Sequence, residues 1–489
     1  MNQSADPLSR RAFGVIAGSL AAASPAAVLN QAASAERPLG SSTFGRAKRV
    51  ILLYLYGAAA QHETWDPKPD APLEIRGKFN PTSTAVPGMQ ICEHLPRVAQ
   101  ITDRLTLVRS MAHPYNIHSA AYTMSGIDKV DIPMELNPFD ARHWPSFGSV
   151  LDYRAQKAEP QGKMPEIPRN ICLPFRFSAR SGQFVRGGPY GGFLGRGYDP
   201  VCTDFEGNPT AKVCRWTGSA LAEVSEPYLG IDKSGRFSVS RGGQSLPPEQ
   251  MSSRWSLLSQ LAHEQRDYQT AAAPRGHDRF RDLAYSLLTS DKIKTALDIS
   301  EEKDTLREDY GLTLFGQATL AGRRLLEAGA QVVTVIWDEI QIANSAWDTH
   351  FHHYERLKDE LLPGLDRALS TLVRDLEERG MLDDTLVLCI TEHGRTPKLH
   401  DKGANGTGRE HWSDVYANAF AGAGIKRGHI VGASDKHGAF VQENPITPKD
   451  ILTTIYHLLG VDAHTMIPDR LGRPLPLVSG GRVVQEMLS

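Results

Sequence analysis

"LVLCITEHGR", residues 386–395, is the stretch whose reading decides the fold. From Leu386 to Thr391 it is apolar or β-branched with no polar alternation, the pattern of a strand covered on both faces. It then changes abruptly to Glu392, His393, Gly394 and Arg395. Just upstream, "LKDELLPGLDRALSTLVRDLEERG" (357–380) predicts an amphipathic helix, with a break at Pro363 open and an end at Gly380. Before that, a helix over "YGLTLFGQATLAGRRLLEAGA" (310–330) leads into a strand over "QVVTVIW" (331–337). Near the start, "RVILLYLYG" (49–57) is another continuous apolar strand, and "LPRVAQITDRLTLVRSM" (95–111) reads as a short helix followed by a strand. Further helical patterns span about 250–330. Strands alternating with helices predict an α/β three-layer sandwich, with helices on both faces of a mostly parallel central sheet.

The 489 residues suffice for a deep core. With 54 basic and 56 acidic residues, formal net charge is −2, which argues against nucleic acid as a partner and leaves small molecules open. Ser9-Arg10-Arg11-Ala12-Phe13-Gly14, an Ala- and Gly-rich apolar stretch and Ala33-Ser34-Ala35 read as a twin-arginine signal over residues 1–35. The expected partner of that signal is the twin-arginine export machinery, and the expected location is periplasmic or secreted. Residues 36–489 are expected to form one domain. No later stretch has the roughly 18–20 apolar residues of a membrane span. Of five cysteines, Cys202 and Cys214 flank a polar loop and are the expected disulfide, whereas Cys389 reads as a small buried hydrophobe. A Gly-, Pro- and Arg-rich region at about 155–245, including "RSGQFVRGGPYGGFLGRGYDP" (180–200), predicts an inserted cap or rim over the site.

Ligands of open α/β sheets bind outside the carboxyl ends of the strands. Three polar clusters fall there. "WDTHFHHYE" follows strand 331–337 and offers Asp348 with His350 or His352, between which spacing does not choose. Glu392 and His393 follow strand 386–391, and "DKGANGTGREHW" ends in Glu410, His411 and Trp412. Carboxylates and imidazoles converging from three loops suit a divalent metal: zinc, manganese, or calcium if oxygens dominate. Arg395 either neutralises an anionic substrate or pairs with a nearby acid.

This order of ligands resembles the alkaline-phosphatase superfamily. "HETWDPKP" (62–69), "VPGMQICEHLPRVAQITDRLTLVRSMAH" (86–113), "EHGRTP" (392–397), "GREHW" (408–412) and "DRLGRPLPLV" (469–478) are similar to one branch, the exported sulfatase-like bacterial family called domain of unknown function 1501. The resemblance implies an alkaline-phosphatase-like fold and a metal-dependent hydrolase of small-molecule or glycan sulfate or phosphate esters. It also implies a nucleophile near Asn116–Ser119, so that Ser119 would be an alcohol nucleophile and His118 a ligand or acid–base group. The sulfatase cysteine-x-proline-serine-arginine motif is absent. By the same resemblance a metal-binding acid belongs after the first strand, where Glu63 and Asp66 are the candidates. Arg395, Arg180 or Arg186 would offset the developing charge. The alternative is a catalytically degraded member that binds an envelope glycan or protein.

Overall fold

The computed structural model describes residues 43–159, 165–182, 184–216, 221–239, 290–342 and 345–489. The expected signal at 1–35 and the helical pattern at 250–289 lie outside them. Three strands are buried almost end to end: β1 (Arg49–Leu55), β5 (Val332–Trp337) and β6 (Thr385–Ile390). They form the centre of an eight-stranded sheet completed by β2 (Leu105–Met111), β3 (Asn170–Leu173), β4 (Val201–Cys202), β7 (Tyr416–Ala421) and β8 (His429–Val431). The order is β8-β2-β7-β6-β1-β5-β3-β4. Only β7 runs against its neighbours β6 and β2; every other pairing is parallel.

Side chains alternate along a strand, so β1 shows how both faces are covered. Ile51, with Val333 and Val335 of β5, lies against Gly322 of helix α3 (Leu314–Glu327). Tyr54 points to the other face, and its hydroxyl meets Thr123 Oγ1 of helix α1 (Ala120–Ser125) at 3.0 Å. The result is the expected three-layer α/β/α arrangement. Helix α2 (Phe147–Ala158) follows α1. Helix α4 (Leu362–Glu378) carries Pro363 in its first turn and continues directly from a π-type turn over Leu357–Leu361, the local irregularity that accompanies the missing N–H. Helix α5 (Pro448–Leu458) starts on a reciprocal cap between Thr447 and Asp450.

The region expected as an inserted cap contributes to the sheet as well. It contains β3 and β4, with residues 174–200 between them and two small antiparallel ladders beyond: Asp204–Glu206 with Arg236–Ser238, and Lys212–Trp216 with Leu221–Ser225. The expected Cys202–Cys214 disulfide is not formed. Cys202 lies in the central sheet opposite Cys172, while Cys214 sits across from Glu223 in a ladder, and all five cysteines are free. Among the described residues no helix is long and apolar enough to cross a membrane.

Because β1, β2, β5 and β6 share one direction, their carboxyl ends open on the same edge. Tyr56–Ala60, His113–Ser119, Asp338–Glu339 and Thr391–His393 therefore follow strands that end together.

Candidate metal centre

His393 follows β6 and is fully buried. Its Nδ1 lies 2.8 Å from the Gly394 carbonyl, which fixes Nδ1 as the protonated nitrogen and leaves Nε2 with a lone pair. That Nε2 is buried without a hydrogen-bond partner. Burial first, then the neighbouring His118, His411 and Arg395, holds the ring well below the usual imidazole pKa, so it is neutral.

Three more imidazoles surround it. His118, in the loop before α1, is 5.2 Å from His393 and 4.2 Å from His411 between ring centroids. Its Nδ1 is 2.8 Å from Glu392 Oε1 and its Nε2 is 3.3 Å from Asp348 Oδ2. Burial alone would lower the His118 pKa, but Asp348 and Glu392 override it and raise it to about 9. His350 presents Nε2 to Asp348 Oδ1 at 3.0 Å and to His411 Nε2 at 3.1 Å, with its Nδ1 2.5 Å from Glu410 Oε2. His411 is brought in by a two-residue ladder in which it pairs with Arg395, and its Nε2 is 3.4 Å from Asp348 Oδ1. Asp348 sits well below the ordinary carboxylate range: burial opposes ionisation, but Arg395 and His118 outweigh it.

Two overlapping groups result, each with donor atoms within 4.8 Å of one another: His118, His393 and His411, and Asp348, His350 and His411. A feature common to the rings supports a metal. His118, His350 and His393 each have Nδ1 held by an acceptor (Glu392, Glu410 and a backbone carbonyl), which fixes ring orientation and turns Nε2 inward, where those of His118 and His350 face Asp348 and that of His393 has no partner. A nitrogen-rich set of this kind lacks the oxygen count that calcium requires.

The supporting shell is rigid. Glu392 is fully buried, and its Oε1 also accepts the Gly57 N–H at 2.7 Å. Gly57 is required there, since at φ +104° a Cβ would stand 2.4 Å from the Asp348 amide nitrogen. His113 Nε2 reaches the Glu392 carbonyl at 2.7 Å, and its Nδ1 accepts from the Tyr115 N–H.

Other expected site residues are placed elsewhere or committed. Arg395 is completely buried, with its guanidinium spent on the carbonyls of Gly57, Ala58, Trp347 and Arg409 and on Asp348. Each nitrogen of its guanidinium has a protein acceptor, so the buried Arg395 serves as framework. Glu63 pairs with Arg409 at 2.6 Å, His353 at 3.2 Å and Tyr354 at 3.2 Å. Asp66 pairs with Lys68 at 2.9 Å and with the Ser434 hydroxyl. His352 is exposed in a left-handed conformation before a short helical turn. None of these three joins the convergent groups; His350 does. Ser119 is fully buried and caps α1, accepting from the Tyr122 N–H.

A second tier surrounds His118. Tyr56 packs on its ring at 5.4 Å, and the Arg186 guanidinium lies 5.6 Å from the centroid of Tyr56. Glu135 is buried near His118, and burial pushes its carboxyl up to about 8. Asp338, directly after β5, is likewise pushed up to about 8 by burial, and it accepts the Ser178 N–H at 2.6 Å. An acid immediately after a buried strand is the signal that exposed Glu392, and it marks Asp338-Glu339 too. Nothing in the sequence around Glu135 marks it.

A family model described as "Protein of unknown function (DUF1501)" matches residues 47–488. The chain belongs to this family. No curated protein matches it. Among solved structures, the PsFucS1 sulfatase from Pseudoalteromonas sp. is 12% identical with a TM-score of 0.35, over 86% of this chain and 69% of that one. The lipoteichoic acid synthase LtaP from Listeria monocytogenes is 12% identical with a TM-score of 0.34, over 90% and 78%. The phosphonate monoester hydrolase SpPMH from Silicibacter pomeroyi is 9% identical with a TM-score of 0.33, over 90% and 76%. Likenesses this weak leave the chemistry of this DUF1501 protein to its own geometry.

Proposed function

We propose that this protein is a metal-dependent hydrolase of sulfate or phosphate esters that works in the cell envelope. The observation that carries the reading is the convergence of His118, His350, His393, His411 and Asp348, with three imidazoles already oriented through Nδ1. A divalent ion held by these side chains would polarise the ester oxyanion and lower the pKa of water. The chain's own residues do the rest. Glu392 keeps His118 in register, and Arg395 ties Asp348 to the β1 loop, so the donors need not reorganise. Arg395 and Arg180 are both committed, the latter to Asp204 and the Phe205 carbonyl at 3.0 Å. Arg186 is therefore the cation left to bind the substrate anion. Its backbone is pinned by Ser178 Oγ at 2.8 Å, while its guanidinium makes no hydrogen bond or ion pair among the described residues.

A second reading, a binding protein without turnover, is favoured by one observation: Ser119 is buried and committed as a cap, which removes the expected alcohol nucleophile. Hydrolysis of 4-nitrophenyl sulfate and 4-nitrophenyl phosphate, with zinc or manganese and after chelation, separates the two. The hydrolase reading expects turnover that chelation abolishes, and a rise in KM for Arg186→Gln. Oxyanion binding without turnover on either ester, under any metal tested, favours the binder.

A further inference from the structure

The strands at the sheet edge place two thiols together. Cys172 of β3 and Cys202 of β4 are direct partners in the parallel register. Neighbouring strands run about 4.8 Å apart, inside the Cα separation of roughly 4.4–6.8 Å that a disulfide spans. Register partners direct their side chains to the same face of the sheet, so the two thiols lie on one side of it. We propose that Cys172 and Cys202 are a disulfide-forming pair whose oxidation closes the base of the 174–200 segment, which carries Arg186.

The chemistry is thiol–disulfide exchange with a disulfide oxidant. Cys202, the half-buried member, attacks one sulfur of the oxidant as a thiolate, forming a mixed disulfide and releasing one thiolate. Cys172, fully buried, then attacks Cys202 Sγ and releases the second thiolate. Both thiol protons end on the two released thiols; the cysteines are oxidised and the oxidant is reduced. The neighbouring Cys202 thiol first, and burial second, raise the Cys172 thiol well above its ordinary pKa, so the more accessible Cys202 is the first to attack. The bond would fasten β4, a two-residue edge strand, to the sheet. This inference is independent of the metal reading.

The test equilibrates the full chain with oxidised glutathione, traps remaining thiols by alkylation under denaturing conditions, and maps peptides without reduction. Three of the five thiols should remain, with Cys172 and Cys202 in one cross-linked peptide pair. Cys214→Ser should leave this result unchanged, and Cys202→Ser should abolish it. Tryptic cleavage after Arg176, Arg180, Arg186 and Arg196 should slow at least severalfold on oxidation. Five remaining thiols in the wild type, or a bond joining Cys202 to Cys214, would overturn the proposal. So would oxidation that leaves tryptic cleavage of the segment unchanged, since no closure would then follow.

Discussion

His118→Gln, followed across pH in metal-free protein, tests the electrostatics on which the centre is built. In the folded chain Asp348 and Glu392 raise the His118 pKa from 6.5 to about 9, which makes the ring an imidazolium at neutral pH. At about 1.36 kcal/mol per pH unit of difference, that change corresponds to about 3 kcal/mol of folding stability. The folded pKa lies above the unfolded one. The contribution is therefore fully present below pH 6.5 and is lost as pH rises through 9. Glu135 and Asp338 also change protonation with pH, each raised to about 8, so the wild type alone would not isolate His118. The quantity to measure is the difference in urea unfolding free energy between wild type and His118→Gln, in chelator, from pH 6 to 9.5. It should shrink by about 3 kcal/mol as pH rises. A difference that stays flat or grows with pH would show that the two carboxylates do not hold a proton on His118.

Arg395→Met removes the donor for four carbonyls and leaves Asp348 buried without its main counter-charge, so unfolding should come about 3–5 kcal/mol more easily. A loss under about 1 kcal/mol in the same urea assay would contradict the framework role. Gly57→Ala puts a Cβ against the Asp348 amide, so zinc affinity by competition with a chromophoric chelator should fall about 10- to 100-fold while far-ultraviolet circular dichroism is kept. Unchanged zinc affinity would show that Asp348 is not a ligand.

The sheet was legible because β1, β5 and β6 are apolar on both faces, which only a covered parallel strand tolerates. His393, Asp348 and His411 were legible as a convergent group because polar residues in the loops past buried strands are where ligands of such a sheet sit, whereas Glu392, expected as a ligand beside them, lies in neither group and holds His118 instead. The choice between His350 and His352 was not legible, because it depends on a left-handed turn at His352 that turns the chain away. His118 reached the site through the resemblance alone; no local pattern distinguishes it from His113. Glu63 was drawn in by the resemblance and Arg395 by its place after a buried strand, yet they are consumed by Arg409 and by Asp348 with four carbonyls. Those partners lie roughly three hundred and fifty and fifty residues away in sequence. Cys202 illustrates the same limit. Its sequence neighbourhood points to Cys214, whereas strand register delivers Cys172.

Elemental mass spectrometry of the full chain, purified after being offered zinc and manganese, tests the central claim most directly when paired with a His393→Ala/His411→Ala double variant. The account predicts near-stoichiometric metal in the wild type and its loss in a variant that still folds. A well-folded wild type that retains no metal would contradict it.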